Sequence, residues 1–231
     1  MKPLKDLFDL LFPHSCFLCG NTLNGTDQSI CFLCNSQLPR TRFWSMEDNP
    51  LQKDLAAHTD VSHALAFLYF ARKSKTRQIL HEIKYKGNGA LAEQMGAQFG
   101  RSLRRSGWAA GVFDALVPVP ITRKKRLKRG YNQSHMIAQG MSEELKIPIL
   151  NDILHRSHSG ASQTSKGRTD RFESIRDSFR VNADQINDGD SLLLIDDVYT
   201  TGATSVRCLN LLKEGGTRKL GFASLAYRSG I

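Results

Sequence analysis

The alternation of apolar and polar positions divides the chain into a helical start, a cysteine-bearing segment and a long α/β region. Leu4, Leu7, Phe8, Leu11 and Phe12 fall at helical spacing and Pro13 ends the run, which predicts a short amphipathic helix. The cysteine segment extends to about Arg40, with Gly20, Asn21, Asn24 and Gly25 placed where tight turns need them. Residues 41–60 are polar, contain Asp48-Asn49-Pro50, and are expected to be a linker.

From Val61 onward strands and helices alternate. Ala64–Phe70 and Phe113–Val119 are apolar enough for strands, and Ile147–Leu154 is expected to be a strand broken by Pro148. Thr76–Ile83, Leu91–Leu103 and Asn132–Leu145 show helical spacing. Leu192–Ile195, four consecutive large aliphatics, suits a parallel strand covered on both faces. Ala203–Lys213 follows as a helix stopped by Gly215-Gly216, and Leu220–Tyr227 closes the series as a strand. This order predicts an α/β fold with a doubly wound parallel sheet over residues 61–231, preceded by a small module over 1–40.

Composition changes this picture little: 231 residues, 40% apolar and 23% charged, describe one ordinary domain with an appendage. Charge changes it more. The net charge is +10, and 15 basic against 3 acidic side chains lie between residues 61 and 131, while the rest is nearly balanced. A positive excess confined to one region fits a phosphate-rich small molecule or a nucleic acid. No stretch approaches the roughly 18 uncharged apolar residues of a membrane helix, and Asp6 interrupts the start, so the expected location is the cytoplasm without membrane insertion.

Four of the five cysteines form two Cys-x-x-Cys pairs, Cys16/Cys19 and Cys31/Cys34. In a reducing compartment this spacing favours a structural, tetrahedral Zn2+ over disulfides. A segment of about 40 residues rarely builds a sufficient core alone, so the metal would supply folding energy. His14 is a substitute ligand or a turn residue, and Cys208 is expected to be a core residue on a helix. Phe17, Leu18, Phe32 and Leu33 inside the knuckles would offer apolar surface to the main domain or to a partner.

The strongest chemical signal is Asp196-Asp197-Val198-Tyr199-Thr200-Thr201-Gly202-Ala203-Thr204 after the apolar strand. The strand delivers two carboxylates to the carboxyl edge of the sheet, where open α/β folds bind ligands. The hydroxyl-rich turn into a helix at Gly202 makes an anion cradle from backbone amides, the helix dipole and Thr200, Thr201 and Thr204. Carboxylates beside a phosphate nest suit a ligand carrying both vicinal hydroxyls and a phosphate, such as a ribose 5-phosphate. No Gly-Lys-Ser or Gly-Lys-Thr occurs, which disfavours a nucleoside triphosphatase.

These residues resemble the motif by which type I phosphoribosyltransferases bind phosphoribosyl pyrophosphate (PRPP). The order of cysteine module, Lys84-Tyr85-Lys86-Gly87, Val117-Pro118-Val119-Pro120, Arg129-Gly130-Tyr131-Asn132-Gln133 and acidic loop is similar, over nearly the whole length, to the ComF/GntX family of competence-associated proteins. The resemblance implies displacement of pyrophosphate from PRPP, with Asp196 and Asp197 stabilising the ribosyl cation, Mg2+ neutralising pyrophosphate, and Val119, Pro120 and Arg123 holding it. It implies a mobile hood carrying Arg156, Gln163, Arg168 and Arg171. Lys84, Lys86, Lys124, Lys125, Arg126, Lys128, Arg129, Tyr131, Asn132 and Gln133 are candidate contacts for substrate or nucleic acid.

No general base stands out, so the acceptor is open. The rival expectation is a DNA-uptake factor whose basic middle third and zinc module bind single-stranded DNA and meet the uptake machinery. Glutamine amidotransferase activity is not expected, because residue 2 is Lys2 where such enzymes expose a cysteine, and the other early cysteines are committed to metal.

Overall fold

A computed structural model describes residues 14–23, 29–108, 111–156, 179–187 and 189–228. The predicted helix over Leu4–Phe12, the turn residues Asn24 and Gly25, and the hood positions Gln163, Arg168 and Arg171 lie outside the described residues. In chain order the elements are α1 (Phe32–Ser36), a 3-10 turn (Phe43–Ser45), α2 (Pro50–Ala56), β1 (His63–Tyr69), α3 (Lys75–Tyr85), α4 (Gly89–Arg105), β2 (Ala115–Pro118), α5 (Arg123–Arg129) and α6 (Gln133–Leu145). They continue through β3 (Leu154–Arg156), β4 (Phe179–Val181), a second 3-10 turn (Ala183–Gln185), β5 (Ser191–Tyr199), α7 (Ala203–Glu214) and β6 (Lys219–Tyr227).

The main sheet is parallel in the order β1-β6-β5-β2. Leu192 to Ile195 are all buried, as both-face coverage requires. Helices α4 and α6 pack on each other so closely that a Cβ at Gly140 would lie 2.0 Å from the Glu93 carbonyl oxygen. The step from β2 through α6 to Ile149, which bridges Leu116, runs opposite in direction to the step from β5 through α7 to β6. Right-handed crossovers then put α6 and α7 on opposite faces, so the sheet is doubly wound.

Two expectations are corrected. The stretch Ile147–Leu154 makes only a bridge to β2, through Leu116 N to Pro148 O and Leu150 N to Leu116 O. Pro148 has no N–H to extend a ladder, and the strand that follows, β3, pairs antiparallel with β4 outside the main sheet. Residues 41–60 are not an extended linker. Pro39 to Thr41 run antiparallel along the β1 edge, with Tyr69 N to Pro39 O at 2.8 Å and Thr41 N to Phe67 O at 3.0 Å. Phe43, Leu51 and Leu55 then bury completely. Asn49 caps α2 by accepting from Gln52 N, Pro50 supplies the first helical position, and the Asn49 amide donates to Ala64 O.

The cysteine segment is tied to the same core. Cys16, Ile30, Cys34 and Leu38 are buried in it, Ser29 N donates to Gln94 Oε1 of α4, and Arg40 reaches both Asn35 and Gln98. Phe17 and Leu18 pack against the core, whereas Phe32 and Leu33 stay exposed. Cys208 is buried on α7.

Candidate functional site

Strand β5 runs past its aliphatic stretch to Tyr199, because Asp196, Val198 and Tyr199 remain paired with Ser224, Ala226 and Tyr227 of β6. The two carboxylates therefore sit on a rigid strand end. Asp196 Oδ1 accepts from Ser134 Oγ at 3.1 Å and from Asp197 N at 2.8 Å. Burial, reinforced by the neighbouring Asp197 charge, pushes the Asp196 carboxyl up to about 7, against the pull of that amide, Lys84 and Ser134. Asp197 Oδ1 lies 2.9 Å from Lys84 Nζ, both side chains being mostly buried.

Beyond the carboxylates, Thr200 and Thr201 are exposed, and Gly202 turns the chain into α7 at φ 73°. No side chain caps α7, so the amides of its first turn are not occupied in that way. This is the arrangement in which helix amides and dipole hold an anion.

The segment from Arg129 to Ser134 braces this edge residue by residue. The Tyr131 hydroxyl donates to Ile83 O at the end of α3, and Asn132 Nδ2 donates to Val119 O at 3.0 Å. Gln133 Oε1 accepts from Arg129 at 2.8 Å, and Ser134 holds Asp196. Arg129 also lies over the Tyr85 ring. Lys125 is held below the usual lysine range by burial and then by the charges of Arg156, Arg129 and Lys84, with Asp197 acting against them. Lys84, Lys125 and Arg156 therefore act electrostatically on the carboxylates, with Arg129 close enough to Lys125 to repel it. Arg156 stacks on Phe179 at 4.7 Å, and among the described residues its Nε and Gln133 Nε2 are buried without a partner.

The Sγ atoms of Cys16, Cys19, Cys31 and Cys34 lie within 4.8 Å of one another. Tetrahedral zinc with thiolates at about 2.3 Å has a ligand separation of about 3.8 Å, and Cys19 and Cys31 are 3.7 Å apart. Backbone amides point at two sulfurs, Cys31 N to Cys16 at 3.3 Å and Cys34 N to Cys31 at 3.4 Å. Burial and the three neighbouring thiols hold Cys34 above its usual range, so the four can ionise together only around a cation. The donor set fits a thiophilic ion such as zinc.

The family model "Phosphoribosyl transferase domain" matches residues 132–230. Competence protein F of Haemophilus influenzae is 31% identical over 115 residues, which cover 49% of this chain and 50% of that protein. Competence protein ComFC of Bacillus subtilis is 27% identical over 138 residues, 58% of this chain and 52% of that one. DNA utilization protein YhgH of Escherichia coli strain K12 is 23% identical over 208 residues, covering 87% and 85% of the two chains. The chain resembles the ComF-type competence proteins and carries a phosphoribosyltransferase-type segment. The chain spans about half the length of the first two relatives. The solved structure of Bacillus subtilis glutamine PRPP amidotransferase, complexed with ADP and GMP, is 18% identical, with TM-score 0.44, covering 63% of this chain and 30% of that one.

In this chain the sequence candidates divide into two groups. Lys84 pairs with Asp197, Lys125 and Arg156 act on the carboxylates through space, and Arg129 and Gln133 bond to each other next to Ser134, which holds Asp196. Lys86, Lys124 and Lys128 are exposed. The basic stretch Arg123–Arg129 is a helix capped by Thr122 and ended by Gly130, and residues 119–122 form the connection from β2 into it. Arg123 and Arg126 line a cleft of about 980 Å³ with Pro120, Tyr131, Asn132 and Arg156. Sequence reasoning missed Ser134 and Asp54, which reaches Tyr199. Ser134 had a local signal, one residue beyond the Asn-Gln pair, whereas Asp54 had none.

Proposed function

We propose that this protein binds PRPP with Mg2+ at the β5 edge and displaces its pyrophosphate with an acceptor. The observation that carries this reading is the pair Asp196 and Asp197 at a strand end, set between an uncapped helix start and the cations Lys84, Lys125 and Arg156. The carboxylates would accept the ribose hydroxyls and share the ion with the diphosphate, since Mg2+ takes one or two carboxylates plus substrate phosphates. Amides and hydroxyls from Thr200 to Thr204 would hold the 5-phosphate. The C1–O bond to pyrophosphate breaks with its electrons leaving on pyrophosphate, and the acceptor's lone pair closes the cationic carbon. Fixed charges already aimed at the site stabilise that separation without reorganising. Calorimetry with Mg-PRPP on wild type, Asp196→Asn and Asp197→Asn tests it: binding weakened about tenfold or more in each variant supports it, and unchanged affinity in both refutes it.

A second reading, single-stranded DNA binding, is favoured by the outer face of α3. Arg77, His81 and Tyr85 are exposed at i, i+4 and i+8, Arg72 and Lys73 precede them, Phe17 lines the same groove, and Arg129 lies over Tyr85. Cations interleaved with aromatic rings suit a phosphate backbone whose bases stack without being read. Neutralising Arg123, Lys124 and Lys125 should lower the slope of log affinity against log salt by roughly 2, at about 0.7 per single-strand contact. An unchanged slope removes α5 from that surface.

A further inference from the structure

We propose that Asp54, on α2 and outside the matched phosphoribosyltransferase segment, is a positioning residue of the phosphate loop, holding Tyr199 against the turn at Gly202. The role assigned to the loop rests on the PRPP reading above. Tyr199 ends β5 and is only 1% exposed. Its ring stacks on Tyr227 and meets Phe222 edge-on, so the phenol has one direction in which to point. There its hydroxyl donates to Asp54 Oδ2 at 2.8 Å.

The other side of the phenol touches the loop itself. A Cβ built at Gly202 would lie 2.4 Å from the Tyr199 hydroxyl oxygen and 2.9 Å from Cζ, so the Gly202 backbone rests directly on the phenol. Wherever the phenol sits, the turn from Thr200 into α7 must follow. Asp54 fixes the phenol because its own platform is fixed: Leu51 and Leu55 are fully buried, Asn49 caps the helix, and Gln52 Nε2 donates to Val61 O. The segment between the cysteine module and the sheet thus reaches the phosphate loop through one charge-assisted hydrogen bond.

The test uses the full chain with Asp54→Ala, Asp54→Asn and Tyr199→Phe. Amide hydrogen exchange across residues 200–206 is measured without ligand, and Mg-PRPP affinity is measured by calorimetry. Asp54→Ala and Tyr199→Phe should each speed loop exchange and weaken PRPP about fivefold, as expected for one hydrogen bond to a charged group with solvent nearby. Asp54→Asn keeps an acceptor oxygen and should stay close to wild type. The double variant Asp54→Ala/Tyr199→Phe should be no worse than either single one. Unchanged loop exchange in Asp54→Ala overturns the proposal. So does equal damage by Asn and Ala together with lost protection over Leu51–Leu55, which would mark Asp54 as a prop for α2 alone. If wild type fails to bind PRPP, the PRPP reading falls while the ligand-free exchange still decides the role of Asp54.

Discussion

Replacing Gly202 by alanine loads two separate penalties on one position, and the structure gives the size of each. The backbone there is left-handed, φ 73°, which disfavours an L side chain by about 1–2 kcal/mol. The new methyl would also meet the Tyr199 hydroxyl at 2.4 Å and Cζ at 2.9 Å. The phenol cannot swing aside, because it is stacked on Tyr227 and bonded to Asp54. Overpacking of this kind typically adds about 1–3 kcal/mol. The expected loss is therefore about 2–5 kcal/mol, or roughly 5–15 °C in Tm for a chain of this size. Gly87 provides the control: its φ is 75°, and nothing lies within 4 Å of a Cβ there, so Gly87→Ala should show the backbone penalty alone. Thermal unfolding of both variants by circular dichroism measures the difference. Equal melting temperatures for the two would refute the claim that the phenol supports the loop, and Gly202→Ala should also weaken PRPP binding where Gly87→Ala does not.

Lys84→Met leaves Asp197 without its 2.9 Å partner in a mostly buried setting, and the urea midpoint should report a loss of about 1–3 kcal/mol, softened by Lys125 nearby. The Asp196 carboxyl, at about 7 in the fold against about 3.9 unfolded, contributes stability present below pH 4 and lost as pH rises through 7. Deprotonation supplies the better acceptor for ribose hydroxyls, so calorimetry should show PRPP affinity rising from pH 6 to 8, and Asp196→Asn should remove the part of that rise that wild type alone shows. A colorimetric zinc assay on denatured protein should return one ion per chain, and Cys19→Ser should lower Tm and speed exchange around Gln94 and Gln98 of α4 while leaving PRPP binding within about threefold; loss of PRPP binding would place the module inside the site.

What was legible in the sequence was what is local. The aliphatic run, two acids, hydroxyls and glycine of β5 and its turn are contiguous, and so are the two cysteine knuckles. The linker expectation failed because α2 buries only Leu51 and Leu55 of its seven residues, so its polar face dominates the pattern. The basic stretch hid α5 for a related reason, since none of its residues is buried and it has no apolar period to read. Its signals were the ends: Thr122 as cap, Gly130 at the stop, and strong helix formers between them. Contacts across the fold were beyond reach. Asp54 and Tyr199 are 145 positions apart, and nothing in the chemistry of either one names the other.

Helix α3 shows how such distant features become coupled. At its first residue Lys75 Nζ lies 2.6 Å from Gln37 Oε1 and 3.8 Å from Cys34 Sγ, so the helix start is held by the cysteine module. Nine residues on, about 14 Å along the axis, Lys84 holds Asp197. Thr76, Ile79, Leu80 and Ile83 bury one face, and Arg77, His81 and Tyr85 are exposed on another. The carboxylate site and the basic aromatic stripe therefore share this helix as a scaffold but no side chain of it, Lys84 serving the first and Arg77 and Tyr85 the second, while Arg129 of α5 lies over Tyr85. On the two proposed readings, PRPP and single-stranded DNA would meet different side chains of this helix. Arg77→Ala with Tyr85→Ala can abolish one while Lys84 stays in place, and a loss of PRPP binding in that double variant would mean that the stripe acts through the position of the helix.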